Sequence, residues 1–414
     1  MERKGFMLLM MTFAVASCGL EQIGGETDSG VWFGPGSIVA GNGSGGTSGA
    51  GKKVWYAVGV DYPDGYDWQA DVEKGNVRCS LVVFANGMPM MKVPVGETYE
   101  VSADPDMHRM IGNDLYTDYS TGSETVIKKN GEQLFRYDGR EMIVDMEVDG
   151  GYVYTLGQQR DGTGFAFRRN GEVLLERTTG YVFSDLARCE DGFDFAFCEV
   201  IGSGKEAVER YYSYCSGDVS QVAVREDVRK VWDIMIHEGK VCYLATMVGI
   251  SSIVLVAGDE MDTLELPAVS EVISCRFVRG SMMIEGVISQ KGKALFSGLW
   301  DGKDMVKMFS PGYLVTSIYG SGDNLCCVLN SPGMLADGMI YRCGELFAMP
   351  DGYRSIGGRS VVMSDGLLYV GLTSDRDSDV ESGSETWGNE AAVWIEGEMK
   401  PLKINGFISH ISVY

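Results

Sequence analysis

The chain has 414 residues, 45% of them hydrophobic, with 56 glycines, 10 prolines, and 58 acidic against 35 basic side chains. That is enough apolar material for a large buried core. The formal charge of −23 repels phosphate backbones, which excludes nucleic acid as an expected partner; spread rather than blocked, it reads as a solvated exterior.

The N-terminal residues read as a targeting segment. Met1 to Lys4 is short and basic. Phe6 to Val15 is an apolar run of signal-peptide length, too short to cross a bilayer as a helix. Val15-Ala16-Ser17-Cys18-Gly19 follows and resembles the lipobox of bacterial lipoproteins. The resemblance implies cleavage before Cys18 and a diacylglycerol on its thiol. It implies anchorage to a bacterial outer membrane, facing the periplasm or the exterior. An ordinary secretory signal with an incidental cysteine is the alternative. The organisation expected is a signal peptide over 1–17, a Gly/Ser-rich tether over 18–52, and one folded domain over 53–414. The remaining cysteines are odd in number and show no metal or redox spacing, and several sit in apolar strand patterns as small hydrophobes.

From Val54 onward one unit repeats. Its marker is a two-residue hairpin turn: Asn86-Gly87, Asn130-Gly131, Asn170-Gly171, Ser216-Gly217, Ala257-Gly258, Asp301-Gly302, Cys343-Gly344 and Glu396-Gly397. Asn-Gly between apolar runs is a strong hairpin signal, because both central residues must take positive φ. Strand-rich sequence repeating every ~40–45 residues is the mark of a propeller blade. The third unit is the clearest. It has strands over Met142–Val148, Tyr152–Leu156, Gly164–Arg169 and Val173–Arg177, with turns at Asp149-Gly150-Gly151 and Asn170-Gly171. No stretch has a helical period.

The two ends complement each other. Val54 to Tyr62 reads as a second strand with no first strand before it. Phe407 to Tyr414 reads as a first strand with no second strand after it. The expected fold is therefore all-β: an eight-bladed β-propeller of four-stranded antiparallel blades, closed by the C-terminal strand joining the N-terminal blade. The motifs Val148-Asp149-Gly150-Gly151-Tyr152-Val153-Tyr154 and Arg169-Asn170-Gly171-Glu172-Val173-Leu174 resemble those of uncharacterised propeller lipoproteins from Bacteroides-type bacteria. The resemblance covers residues 54–414 at the level of the repeat and implies a fold, not an activity.

Two features are candidates for function. A polar residue recurs in the first strands as Asp145, Asp185, Asp233, Ser274, Ser317, Ser360 and His410. First strands line the axis of a propeller, so these residues either ring the channel or satisfy backbone amides between blades. The second feature is loop length. The longest connections between second and third strands are Pro63 to Asn76 in the first blade and Ser374 to Glu390 in the eighth. Closure makes those blades neighbours, which would gather Tyr62, Tyr66 and Trp68 near Trp387 as an aromatic contact surface for a sugar or a protein. Two unrelated insertions are the alternative.

Other chemistry is thinly signalled. Asp375-Arg376-Asp377-Ser378-Asp379-Val380-Glu381 begins like a calcium loop, but Val380 replaces the required glycine and Thr386 the closing glutamate. Glu381 to Trp387 misses a sialidase Asp box by one residue and lies in the wrong loop. The three histidines are scattered, no phosphate-binding Gly-rich loop is present, and no cofactor or metal is expected. The function expected is non-catalytic binding of a glycan or an envelope protein by a lipid-anchored monomer. The alternatives are a periplasmic scaffold for outer-membrane protein assembly, or a hydrolase or lyase working in the axial channel.

Overall fold

Asn86, Asn130 and Asn170 adopt φ of 49°, 52° and 50°, and the glycine after each adopts 84°, 86° and 85°. Two successive left-handed residues make the hairpin turn whose twist matches the flanking strands. Each asparagine also clamps the second strand of its own sheet. Its Oδ1 accepts from the amide of Trp55, Leu115 or Val153 at 2.8–3.1 Å, and its own amide donates to the same residue's carbonyl. Ser216-Gly217 and Glu396-Gly397 take the same backbone shape, and Glu396 Oε1 receives the Leu368 amide.

The structure is a computed structural model. It describes residues 53–63, 79–95, 108–121, 123–160, 162–183, 186–189, 192–202, 207–237, 240–248, 253–258, 260–264, 269–278, 281–289, 293–301, 304–309, 314–319, 326–330, 338–342, 345–350, 353–355, 358–374 and 390–414. Among these residues the strands form eight antiparallel sheets. The first contains Gly406–Val413, Trp55–Asp61, Cys79–Ala85 and Met88–Val95 in that order; the second to eighth follow along the chain over residues 108–138, 141–177, 181–221, 228–263, 269–309, 314–348 and 353–402.

Consecutive sheets touch, and the eighth touches the first through Gly406–Val413. That strand pairs antiparallel with Trp55–Asp61, from Trp55 opposite Val413 to Asp61 opposite Gly406. The arrangement is that of a β-propeller. Burial separates the inner strands from the outer ones. Gly406–Val413 is buried along nearly its whole length, while Asp218–Gln221 and Glu345–Ala348 are exposed throughout.

The core lies between sheets rather than at one centre. Trp55, Ala57, Val82 and Phe84 of the first sheet pack with Tyr369, Ala391 and Val393 of the eighth and with Ile408. Phe165 and Phe167 of the third pack on Phe193, Phe195 and Phe197 of the fourth, with ring centroids as close as 5.0 Å. Alternating side chains let each sheet give one face to each neighbour.

Three details differ from expectation. The fifth sheet's turn is displaced by one residue: Ala257 pairs with Glu260, and Gly258 (φ 62°) opens the turn. Alanine has no side-chain acceptor to offset the cost of positive φ, as Asn86 and Glu396 have, so the turn starts at the glycine. Asp301 likewise pairs with Asp304, which moves the sixth turn beyond Asp301. In the eighth sheet the inner strand is interrupted by a 3-10 turn over Gly358–Ser360, so Ser360 lies in that turn and not in a strand.

Candidate functional site

The recurrent polar residues sit at a recurrent defect. Pairing between first and second strands skips one residue just before Asp145, Asp233, Ser274 and Ser317, and skips Ser409 just before His410. Each is a β-bulge, which bends the strand and leaves one residue without a ladder partner. An inner strand also turns every second amide toward the axis, where no further strand receives it. A carboxylate supplies the missing acceptor. Asp145 Oδ1 accepts from the Met146 amide and Asp233 Oδ1 from the Ile234 amide, each at 2.8 Å. Asp145 Oδ2 accepts from Leu186 of the next sheet at 2.8 Å.

Around Asp145, side chains from four consecutive sheets make one buried group. Arg109 of the second sheet ion-pairs with Asp145 Oδ1 through Nη1. It also donates from Nη2 to the carbonyl of Val144, the bulged residue, at 2.8 Å, and from Nη1 to Met146 at 3.3 Å. Arg359 of the eighth sheet places Nη2 3.5 Å from the same Oδ1. His108 and Ser409 come from the second and first sheets, and their Nε2 and Oγ are hydrogen-bonded. His410 and Ser360 are buried beside them in chain order.

A histidine bonded to a serine is the start of a nucleophile, but the protons run the wrong way. Ser409 Oγ donates to the Val58 carbonyl at 3.0 Å. One hydroxyl proton cannot serve two acceptors, so Oγ accepts from His108 Nε2–H. Burial, with His410, Arg109 and Arg359 adding to it, pushes the His108 imidazole down to about 3. A base that weak, donating instead of accepting, does not activate a hydroxyl.

A second buried group joins the second and third sheets. Arg168 Nη2 pairs with Glu141 Oε1 at 2.8 Å, Tyr137 donates to Glu141 Oε2 at 3.0 Å, and the guanidinium lies 4.2 Å over the Tyr137 ring. Burial, then the Glu141 charge, raises the Tyr137 phenol well above its ordinary value.

Of the residues expected to ring the axis, Asp145, Asp233, Ser360 and His410 are buried. Ser274 and Ser317 occupy bulge positions by backbone, and Asp185 lies outside the described residues. His108, Arg109 and Arg359 were missed. The second sheet's inner strand, His108–Ile111, has only four residues and no repeat signature, and Arg359 carries no signal beyond standing before Ser360.

Of the aromatic residues, Tyr62 is 6% exposed, packs on Phe407 and belongs to the core of the first sheet. This corrects its expected place on a contact surface. The strand continues its pairing past Asp61, with the Tyr62 amide donating to Asn405 O at 2.8 Å, and this turns the ring inward. Tyr66, Trp68, Trp387, Cys18 and the Asp375–Glu381 segment lie outside the described residues. Among the described residues no group of side chains could hold a metal ion, and no helix is long and apolar enough to cross a membrane.

No family model and no curated protein matches the chain. Solved structures do. The chain is similar to the β-propeller domain of the Trilobed protease from Pyrococcus furiosus (11% identity, TM-score 0.42, 73% of this chain and 96% of that one). It is also similar to BamB from Moraxella catarrhalis (10%, 0.40, 73% and 89%) and to the dihydro-heme d1 dehydrogenase NirN (10%, 0.48, 86% and 74%). The likeness is one of fold alone, that of a β-propeller.

Proposed function

We infer that this protein is a non-catalytic recognition platform of the bacterial envelope, tethered through a lipidated Cys18, that binds a glycan or a protein through loops on one face. One observation carries the reading. Residues 62–78 and 375–390 are the two longest connections between second and third strands, and every other such connection has between two residues (122–123) and eight (331–338). The two long ones leave neighbouring sheets. Gly406–Val413 pairs with the strand before the first loop and packs against both strands flanking the second.

The loop roots are anchored. Asn405 Nδ2 donates to the carbonyls of Tyr62 and Pro63 at 3.2 and 3.0 Å, and Tyr353 donates to Glu390 at 3.2 Å. Tyr66, Trp68 and Trp387 fall on these loops, and rigid aromatic area is what sugar and protein recognition uses. The axial group favours binding over catalysis, since Asp145 and Ser409 are committed to structural hydrogen bonds.

A glycan array and an envelope pull-down with residues 52–414 test the reading. The Trp68→Ala/Trp387→Ala pair is expected to lose affinity for whatever binds; full affinity would refute the site. Anchorage is tested separately by the shift of Cys18→Ala from the membrane to the soluble fraction.

A further inference from the structure

A sheet edge offers unpaired backbone groups to any passing chain, and proteins blunt such edges with bulges, lysine, proline or charge. The outer strands here differ in that protection. A bulge breaks the pairing beside Met88–Val95, Glu132–Asp138, Glu172–Arg177 and Asp304–Phe309. Glu398–Leu402 carries Lys400 and Pro401, Glu260–Thr263 carries two carboxylates, and Asp218–Gln221 is polar but for Val219.

Among the described residues, Glu345–Ala348 of the seventh sheet has one charge, Glu345, and none of the other devices. Its pairing with Met339–Arg342 is unbroken, and it contains neither lysine nor proline. All four residues are exposed, with Leu346 at 50% and Phe347 at 46%. Successive side chains point to opposite faces, so apolar groups flank the edge on both sides. The Met349 amide donates to Gly338 at 2.8 Å, which fixes the phase of the ladder. By alternation Glu345 and Phe347 turn their backbone groups toward the sheet, and Leu346 and Ala348 turn theirs outward.

We propose that this edge docks an extended segment of a partner protein, added to the seventh sheet as a further strand through the outward N–H and C=O groups of Leu346 and Ala348. The segment places apolar side chains over Leu346 and Phe347 and carries basic residues. Charge chooses it over a second copy of this chain. The strand's one charged residue is Glu345, and the chain as a whole carries −23. A twin would bring the same charge, whereas a basic segment is attracted. This surface is separate from the loop site proposed above and stands or falls without it.

The test uses the purified chain and a fluorescent seven-residue peptide of alternating valine and lysine, read by anisotropy and by amide hydrogen exchange. Expected are slowed exchange of the Leu346 and Ala348 amides and at least tenfold weaker binding to Ala348→Pro. That proline removes an outward donor and no ladder bond. Leu346→Lys serves as the second variant should the proline lower the thermal midpoint. Three results would overturn the proposal: equal affinity in both variants, equal binding of a proline-containing peptide of the same charge, or protection at other strands. So would protection of Leu346 and Ala348 without peptide that rises with protein concentration alongside a dimeric mass, which would assign the edge to a second copy.

Discussion

Arg359 in the eighth sheet reaches Asp145 in the third, Nη2 to Oδ1 at 3.5 Å, although 214 positions separate them in the chain. The first and second sheets stand between those two in the order of the ring. One carboxylate thus gathers Arg109, Arg359, the Met146 amide and the Leu186 amide.

Asp145 is therefore expected to act on stability first. Asp145→Asn keeps the shape and removes the charge opposite Arg109, whose side chain is buried. Stranding one member of a buried pair costs about 3–5 kcal/mol. Replacing both, as Asp145→Leu with Arg109→Met, should cost less than Asp145→Asn alone. Urea denaturation of the three proteins gives the comparison; a loss under about 1 kcal/mol in the single variant would contradict the role.

His108 predicts a pH dependence. Its folded value is near 3, against roughly 6.5 unfolded. The unfolded chain takes up the proton first, so the contribution is complete above about pH 6.5 and is lost progressively as the pH falls toward 3. Between pH 6.5 and 5 the loss is about 2 kcal/mol. His108→Gln should flatten the fall in thermal midpoint over that range, and an unchanged slope would refute the assignment.

Two glycines hold the join between the ends. A Cβ at Gly406 would stand 2.1 Å from the Val60 carbonyl oxygen, and one at Gly371 would stand 2.7 Å from Ile408 Cγ2. Backbone cannot give way as a side-chain tip can. Gly406→Ala should therefore lower the thermal midpoint more than Gly371→Ala, for which overpacking implies about 1–3 kcal/mol.

Arg168→Lys is expected to be costly despite keeping the charge. Lysine loses the planar contact over Tyr137 at 4.2 Å and the forked approach to Glu141. About 2 kcal/mol is expected from denaturant unfolding, with part of it recovered when Glu141→Gln removes the charge that lysine serves poorly.

The propeller was legible in the sequence because its signals are local. Asn-Gly turns and alternating apolar strands each reveal themselves within ten residues, and Asn86, Asn130 and Asn170 sit where the pattern puts them. The polar first-strand positions were legible as a recurrence, but the bulge that explains them was not. A bulge is a mismatch between two strands and has no signature in either one. Arg109 and Arg359 were invisible for a similar reason. Their partner is assembled from a distant carboxylate and, for Arg109, from the carbonyls of Val144 and Met146. Tyr62 was misread because exposure was inferred from a nearby long loop, whereas its ring follows the strand onto Phe407.

Val58 and Ser409, hydrogen-bonded across the join, lie 351 positions apart. As the ribosome delivers the chain, the strand at 55–61 emerges early and waits for its inner neighbour until residues 406–413 are made. Contacts of such long range form slowly and leave strand edges open meanwhile. The first sheet therefore cannot be completed until residues 406–413 have left the ribosome. A nascent chain stalled before residue 406 is material for proteases and chaperones.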